Sequence, residues 1–262
     1  MNAPPHEGLL IVNADDWGRD RQTTDRTLDC IVHGSVSAVS AMVFMEDSDR
    51  AAVLALEHGV DAGLHLNFTS PLTARSVPRG VAEEQQAITR YLKGHRLAQL
   101  VFNPSLVKPF RNVVAAQIDE FRRLYGRDPE RLDGHHHMHL SANVLLQGLL
   151  PSGTVVRRNF SFQSSEKGIV NRTYRACVDR MLVRRHRLVD FLFNLVPLAP
   201  SSRLQRIFSL ARHHVIELET HPVLPEEFRF LMGAEMLECA KGVRIGPSSG
   251  FFRHGAAPRG VN

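Results

Sequence analysis

Four short strand-like runs, each ending in polar residues, constrain this chain more than any other feature. They are "LLIVNADDWG" at 9–18, "VDAGLHLNF" at 60–68, "RLDGH" at 131–135 and "HHVIELETHP" at 213–222. A continuous apolar run too short for a helix reads as a strand covered on both faces, and a polar tail reads as its end opening onto a site. Helical patterns separate the runs. Residues 22–33 place Leu28, Ile31 and Val32 on one face, with Gly34 at the C-terminal stop. Residues 47–58 follow, with Asp47 or Ser48 as the N-cap, and then helices over 81–93 and 110–125, the latter striped by Val114, Ile118, Phe121 and Tyr125.

Further strands are expected over 35–43, in "TVVRR" and in "GVRIGP", with helices over 141–150 (Ser141 as N-cap), 170–195 and 225–240. Residues 70–80 read as a loop. Strands alternating with helices imply an α/β chain with a parallel sheet, open or closed into a barrel. We expect one domain over 1–262, with the irregular segment at about 155–210 as an insertion or lid.

Three cysteines, Cys30, Cys177 and Cys239, form no CxxC pair, which points away from a disulfide framework and towards a reducing compartment. The N-terminus has no basic stretch leading into an apolar one, and "LVDFLFNLVPLAP" is too interrupted to span a bilayer. The expectation is a soluble cytoplasmic protein. The formal net charge of +5 is modest, and "RRHR" at 184–187, in a segment with Arg172, Arg175 and Arg180, reads first as a solvated helix face and second as a surface for an anionic glycan, membrane or nucleic acid. No nucleic-acid motif accompanies it, so no nucleic-acid partner is expected.

Functional groups collect at the C-terminal ends of strands in parallel α/β folds. Asn13, Asp15 and Asp16; His65 and Asn67; Asp133 and His135 to His139; and Glu219, Thr220 and His221 all stand there. Each has an ordinary structural explanation taken singly: a turn for the Asp pair, a hydrogen-bonded core position for His65, a strand cap for His221. Their shared placement argues for a site. Two histidines and a carboxylate are a common first shell for a divalent metal, and a second carboxylate can then serve as general base.

"LLIVNADDWG", "GLHLNFTSPL", "LDGHHHMH" and "IELETHP", in this order and spacing, resemble the YdjC/ChbG-like carbohydrate deacetylases, a group with hopanoid-associated members. The resemblance covers the first 140 residues and resumes near 213, with Trp17 where the family usually has Phe. It implies a distorted (β/α) barrel of the polysaccharide-deacetylase type and removal of N-acetyl groups from a small glycan. It implies a divalent metal, usually written as Mg²⁺, held by Asp16, His65 and His135, with Asp15 as general base and His221 protonating the leaving amine or orienting the acetyl group. Zn²⁺ is the alternative on imidazole preference.

Asn13, Asn67 and His137 are expected to bind substrate or support the ligands. His137 rivals His135 as the ligand if the chain stays extended past Gly134, because alternate residues then share a face. His136 and His139 read as packing or substrate-side groups. An N-acetylated sugar is the expected partner, and a homodimer is allowed for. The competing reading is a non-catalytic regulatory protein of the same fold that binds metal and sugar.

Overall fold

The computed structural model describes residues 8–95, 97–162 and 168–248. In chain order the elements are β1 (Leu9–Trp17), α1 (Arg21–His33), β2 (Ala38–Ala41), α2 (Ser48–Glu57), β3 (Ala62–Leu66), α3 (Arg79–Gly94), α4 (Val107–Tyr125), β4 (Arg131–Gly134), α5 (Ala142–Gln147), β5 (Val155–Val156), α6 (Ile169–Val183), β6 (Phe191–Asn194), α7 (Ser201–Leu210), β7 (Val215–Thr220), α8 (Pro225–Met232) and α9 (Ala234–Cys239). Two compact units divide the chain. One is drawn from Met1–Asp15, Asp25–Val39 and Arg157–Asn262, the other from Asp16–Thr24 and Ser40–Val156.

In the first unit the strand order is β1-β7-β6, all parallel. Leu9 pairs with Val215 and the register runs to Ala14 beside Thr220. All nine residues of β1 are buried, its apolar run Leu9–Val12 as a strand covered on both faces requires and its polar tail Asn13–Asp16 with it. Leu9, Ile11, Ala38, Val189 and Val215 pack together in its core.

The helix expected over 170–195 stops at Val183. Residues 191–194 form β6 instead, hydrogen-bonded in register with Ile216 to Glu219 of β7. Phe191 and Phe193 stack on one another, a period of two that a helical reading of the basic run overlooks. Residues 225–240 form two helices rather than one, broken at Gly233, whose extended backbone (φ −94°, ψ 165°) interrupts the ladder. "GVRIGP" contributes only a bridge between Ile245 and Leu10.

In the second unit the order is β5-β4-β3-β2. His65 stands beside Asp133 in the β3–β4 register. The buried stripe of α4 runs through Phe110, Val113, Val114, Gln117, Phe121 and Tyr125, so Gln117 takes the place expected for Ile118. A buried amide needs partners, and the end of β3 supplies them: Gln117 Oε1 accepts from the Asn67 N–H at 2.7 Å and Nε2 donates to the Asn67 carbonyl at 3.1 Å. Burying Phe110 and Phe121 contributes roughly 1.5–3 kcal/mol each.

Neither expected side-chain cap forms. Ser141 and Asp47 stand at the N-cap positions of α5 and α2 without a capping bond, and Asp47 pairs with Arg50 at 2.8 Å. Among the described residues no helix is long and apolar enough to cross a membrane.

Candidate metal centre and buried charge cluster

The second unit gathers Asp16, His65 and His135. β3 delivers His65, and its register partner Asp133 lies on the same face because paired positions share a side of the sheet. His65 Nδ1 is 2.7 Å from Asp133 Oδ1. Asp133 Oδ2 accepts from the Ser40 hydroxyl, and Arg131 Nη1 donates to Ser40 Oγ at 3.1 Å. With Nδ1 engaged by a carboxylate, Nε2 is the nitrogen left to bind elsewhere, and it faces Asp16 Oδ1 at 3.4 Å.

β4 ends at Gly134, and the chain turns at once into the 3₁₀ segment His135–Leu140. A Cβ at Gly134 would lie 3.0 Å from both Cβ and N of His139, so a larger residue would push the turn at His139 outward. His136 (φ 55°) and His137 (φ 56°) both take the left-handed conformation, uncommon for residues with a Cβ. The chain is therefore not extended past Gly134. His135, not His137, meets Asp16, with Nδ1 2.9 Å from Oδ1. His137 offers its carbonyl to Gln99 Nε2 at 3.1 Å, and His136 Nδ1 meets Thr69 Oγ1 at 3.0 Å.

Asp16 is itself left-handed (φ 65°), another locally strained residue. Its Oδ2 takes Arg19 Nη1 at 2.6 Å, and Arg19 Nε is fixed in turn by Asp20, whose Oδ1 caps α1 by accepting from the Thr23 N–H at 2.8 Å. Trp17 beside it is fully buried, with its indole N–H on the Ala51 carbonyl. Burial alone would push the Asp16 carboxyl up, but the imidazoles of His135 and His65 overcome it and hold the group well below the usual carboxylate range.

One atom from each of Asp16, His65 and His135 lies within 4.8 Å of the others. Asp16 Oδ1 is buried yet makes no regular hydrogen bond. Two imidazole nitrogens and a buried carboxylate oxygen this close together suit a divalent cation, which would satisfy all three lone pairs. The residues present fit the group.

The first unit holds a buried charge cluster of its own. Arg157, 1% exposed, follows β5 directly. Its Nη1 and Nη2 each reach Asp15 at 2.7 Å, Nε reaches Glu217 at 2.8 Å and Nη1 reaches Glu219 at 3.0 Å. Glu217 and Glu219 share a face of β7, and Asn13, in register with Glu219, donates from Nδ2 to Asp15 Oδ1 at 2.7 Å. One guanidinium thus serves three carboxylates.

His221 follows β7, and its backbone N–H donates to Glu227 Oε2 at 2.6 Å. Glu227 is fully buried, and burial pushes its carboxyl up to about 7. Asp15, Glu219 and His221 also offer three atoms within 4.8 Å of one another, but here Arg157 already answers the carboxylates.

Asn67 is hydrogen-bonded within its own loop. Its Oδ1 accepts from the Thr69 and Ser70 N–H groups and its Nδ2 donates to the Ser70 carbonyl at 2.9 Å, so the side chain shapes the loop after β3. Sequence reasoning missed Arg157. The available signal was Glu217 and Glu219 on one face of a buried strand, which demand a buried cation.

The family model described as YdjC-like protein matches residues 9–238. The chain belongs to the YdjC-like family. Among YdjC-like relatives, a carbohydrate deacetylase of Mus musculus is 30% identical over 141 residues, 52% of this chain and 44% of the relative. A chitooligosaccharide deacetylase of Proteus mirabilis is 33% identical over 139 residues, 52% of each chain. The match spans about half the length of these relatives.

An Enterococcus faecalis V583 protein named for cellobiose-phosphate cleavage superposes with a TM-score of 0.67 at 18% identity, covering 94% of this chain and 99% of that one. A family 4 acetyl xylan esterase of Clostridium thermocellum, solved with a cobalt ion, does so at 0.51 with 14% identity, covering 94% and 90%. These likenesses show the fold alone, the α/β architecture with parallel strands expected from the motifs.

Proposed function

We propose that this protein is a metal-dependent hydrolase that removes N-acetyl groups from a small glycan, releasing acetate and an amino sugar. The observation that carries the reading is Asp16 Oδ1, buried, without a regular hydrogen bond and facing nitrogens of His65 and His135. The names of the mouse and Proteus relatives support the substrate class. Asp16, His65 and His135 would hold the ion, Mg²⁺ by family resemblance, with Zn²⁺ the alternative for two imidazoles. Bound there, the ion would supply Lewis acidity towards the amide carbonyl and its attacking water.

Asp15, the covalent neighbour of Asp16, is the general base. It takes a proton from the water as the water oxygen bonds to the carbonyl carbon. Arg157 and Asn13 hold Asp15 in one orientation, and Glu217 and Glu219 hold Arg157. His221 hands a proton to the amine nitrogen as the C–N bond breaks, its backbone anchored on Glu227. We assign this activity to the cytoplasm on cysteine usage.

The test is acetate release from N-acetylated chitooligosaccharides with the protein as purified, after chelation and after metal is returned. Release lost on chelation and restored by a divalent ion supports the reading. Release indifferent to chelation removes the metal from it.

A further inference from the structure

α6 presents an unpartnered face of unusual composition. Val178, Asp179 and Leu182 turn inward, and Asp179 is held by Arg158 at 2.6 Å. Outward, the first turn carries Ile169 at 79% exposure and Val170 at 85%. At 100° per residue, Ile169, Thr173, Ala176, Arg180 and Arg184 fall along one stripe, flanked by Arg172, Val170, Cys177 and Met181. All of these are exposed. Among the described residues of this face there is no carboxylate, and none of the described acids pairs with Arg172, Arg180 or Arg184. Phe162, 38% exposed, lies beneath the guanidinium of Arg175 on the same helix.

Two apolar side chains almost wholly in water have no folding rationale, and three unanswered arginines on the same face repel a second copy of it. Ile and Val give nothing to a phosphodiester backbone, whereas apolar side chains ringed by arginine match a lipid headgroup layer: the arginines meet anionic headgroups and the aliphatic groups enter below them. We infer that the exposed face of α6 docks the protein reversibly onto an anionic lipid bilayer surface. The docking is independent of the hydrolytic reading and leaves Asp15, Asp16 and their partners untouched.

Sedimentation of the full chain with vesicles tests it. Binding is expected to vesicles of phosphatidylcholine with added phosphatidylglycerol and not to phosphatidylcholine alone, and it should weaken as salt rises. Arg180→Ala or Arg184→Ala should each weaken binding about five-fold. The double variant Ile169→Asp, Val170→Asp should no longer sediment, while its far-UV circular dichroism and acetate release stay as in the parent, since both positions are exposed.

Three results would overturn the inference. One is no sedimentation with anionic vesicles at low salt. Another is sedimentation that none of these substitutions reduces. The third is a wild-type dimer in vesicle-free solution that the double Asp variant dissociates, or duplex DNA binding that it abolishes, either of which reassigns the face.

Discussion

His65 and Asp133, neighbours across the β3–β4 register, meet through Nδ1 and Oδ1 at 2.7 Å, and this leaves Nε2 of His65 directed at Asp16. The carboxylate decides which nitrogen can bind a metal and holds the ring at that angle. Asp133→Ala should therefore weaken divalent-metal affinity by about 10–100-fold. Asp133→Asn, which keeps an acceptor, should lose less. Calorimetric titration of the metal-free protein measures both, and unchanged affinity in Asp133→Ala would remove the orienting role.

His135 and His136 are adjacent but should behave differently. His135→Ala removes the nitrogen 2.9 Å from Asp16 Oδ1 and should abolish metal binding. His136→Ala removes a ring bonded to Thr69 and should leave binding largely intact. Metal content of the two purified variants decides it, and equal loss in both would show that the turn rather than the ligand is responsible.

Arg157→Ala strands Asp15, Glu217 and Glu219 in a dry interior. Breaking a buried ion pair from one side destabilises by about 3–5 kcal/mol, and here three carboxylates lose the guanidinium they share. Arg157→Lys keeps the charge but loses the fork, so it should fall between the two. Urea unfolding gives the values, and a wild-type midpoint for Arg157→Ala would contradict the arrangement.

Glu227 gives the fold a pH dependence of known sign. Its carboxyl is raised from 4.5 to about 7, chiefly by burial. The folded state thus keeps a proton that the unfolded chain releases, so this contribution is complete below about 4.5 and is lost as pH rises to about 7. The loss is on the order of 3 kcal/mol. Glu227→Gln should flatten the stability curve over that window relative to wild type. Parallel curves for the two proteins would mean that Glu227 does not carry the proton.

The strand ends were legible because β1, β3 and β7 carry apolar residues that give way to polar tails, and a parallel sheet leaves little choice about which end bears function. His135 was legible only conditionally: its place depended on where β4 stops, and Gly134 stops it. The sequence could not show that His136 and His137 turn left-handed, because nothing local demands it of histidine. β6 was hidden by charge, since the arginine-rich run before it carried the helical pattern past Val183. Arg157 was hidden by context, one of two arginines after a two-residue strand whose carboxylate partners lie far along the chain. The part Asn67 plays in the loop went unread, although Asn67, Thr69 and Ser70 together spell an Asx-type turn.

The most direct measurement pairs metal content with acetate release on the same preparations of wild type and Asp15→Asn. The account predicts that both hold the ion, because Asp16, His65 and His135 are intact, and that only the wild type releases acetate from N-acetylated chitooligosaccharides. A metal-loaded wild type that releases no acetate from any N-acetylated sugar, or an Asp15→Asn variant as active as its parent, would contradict it.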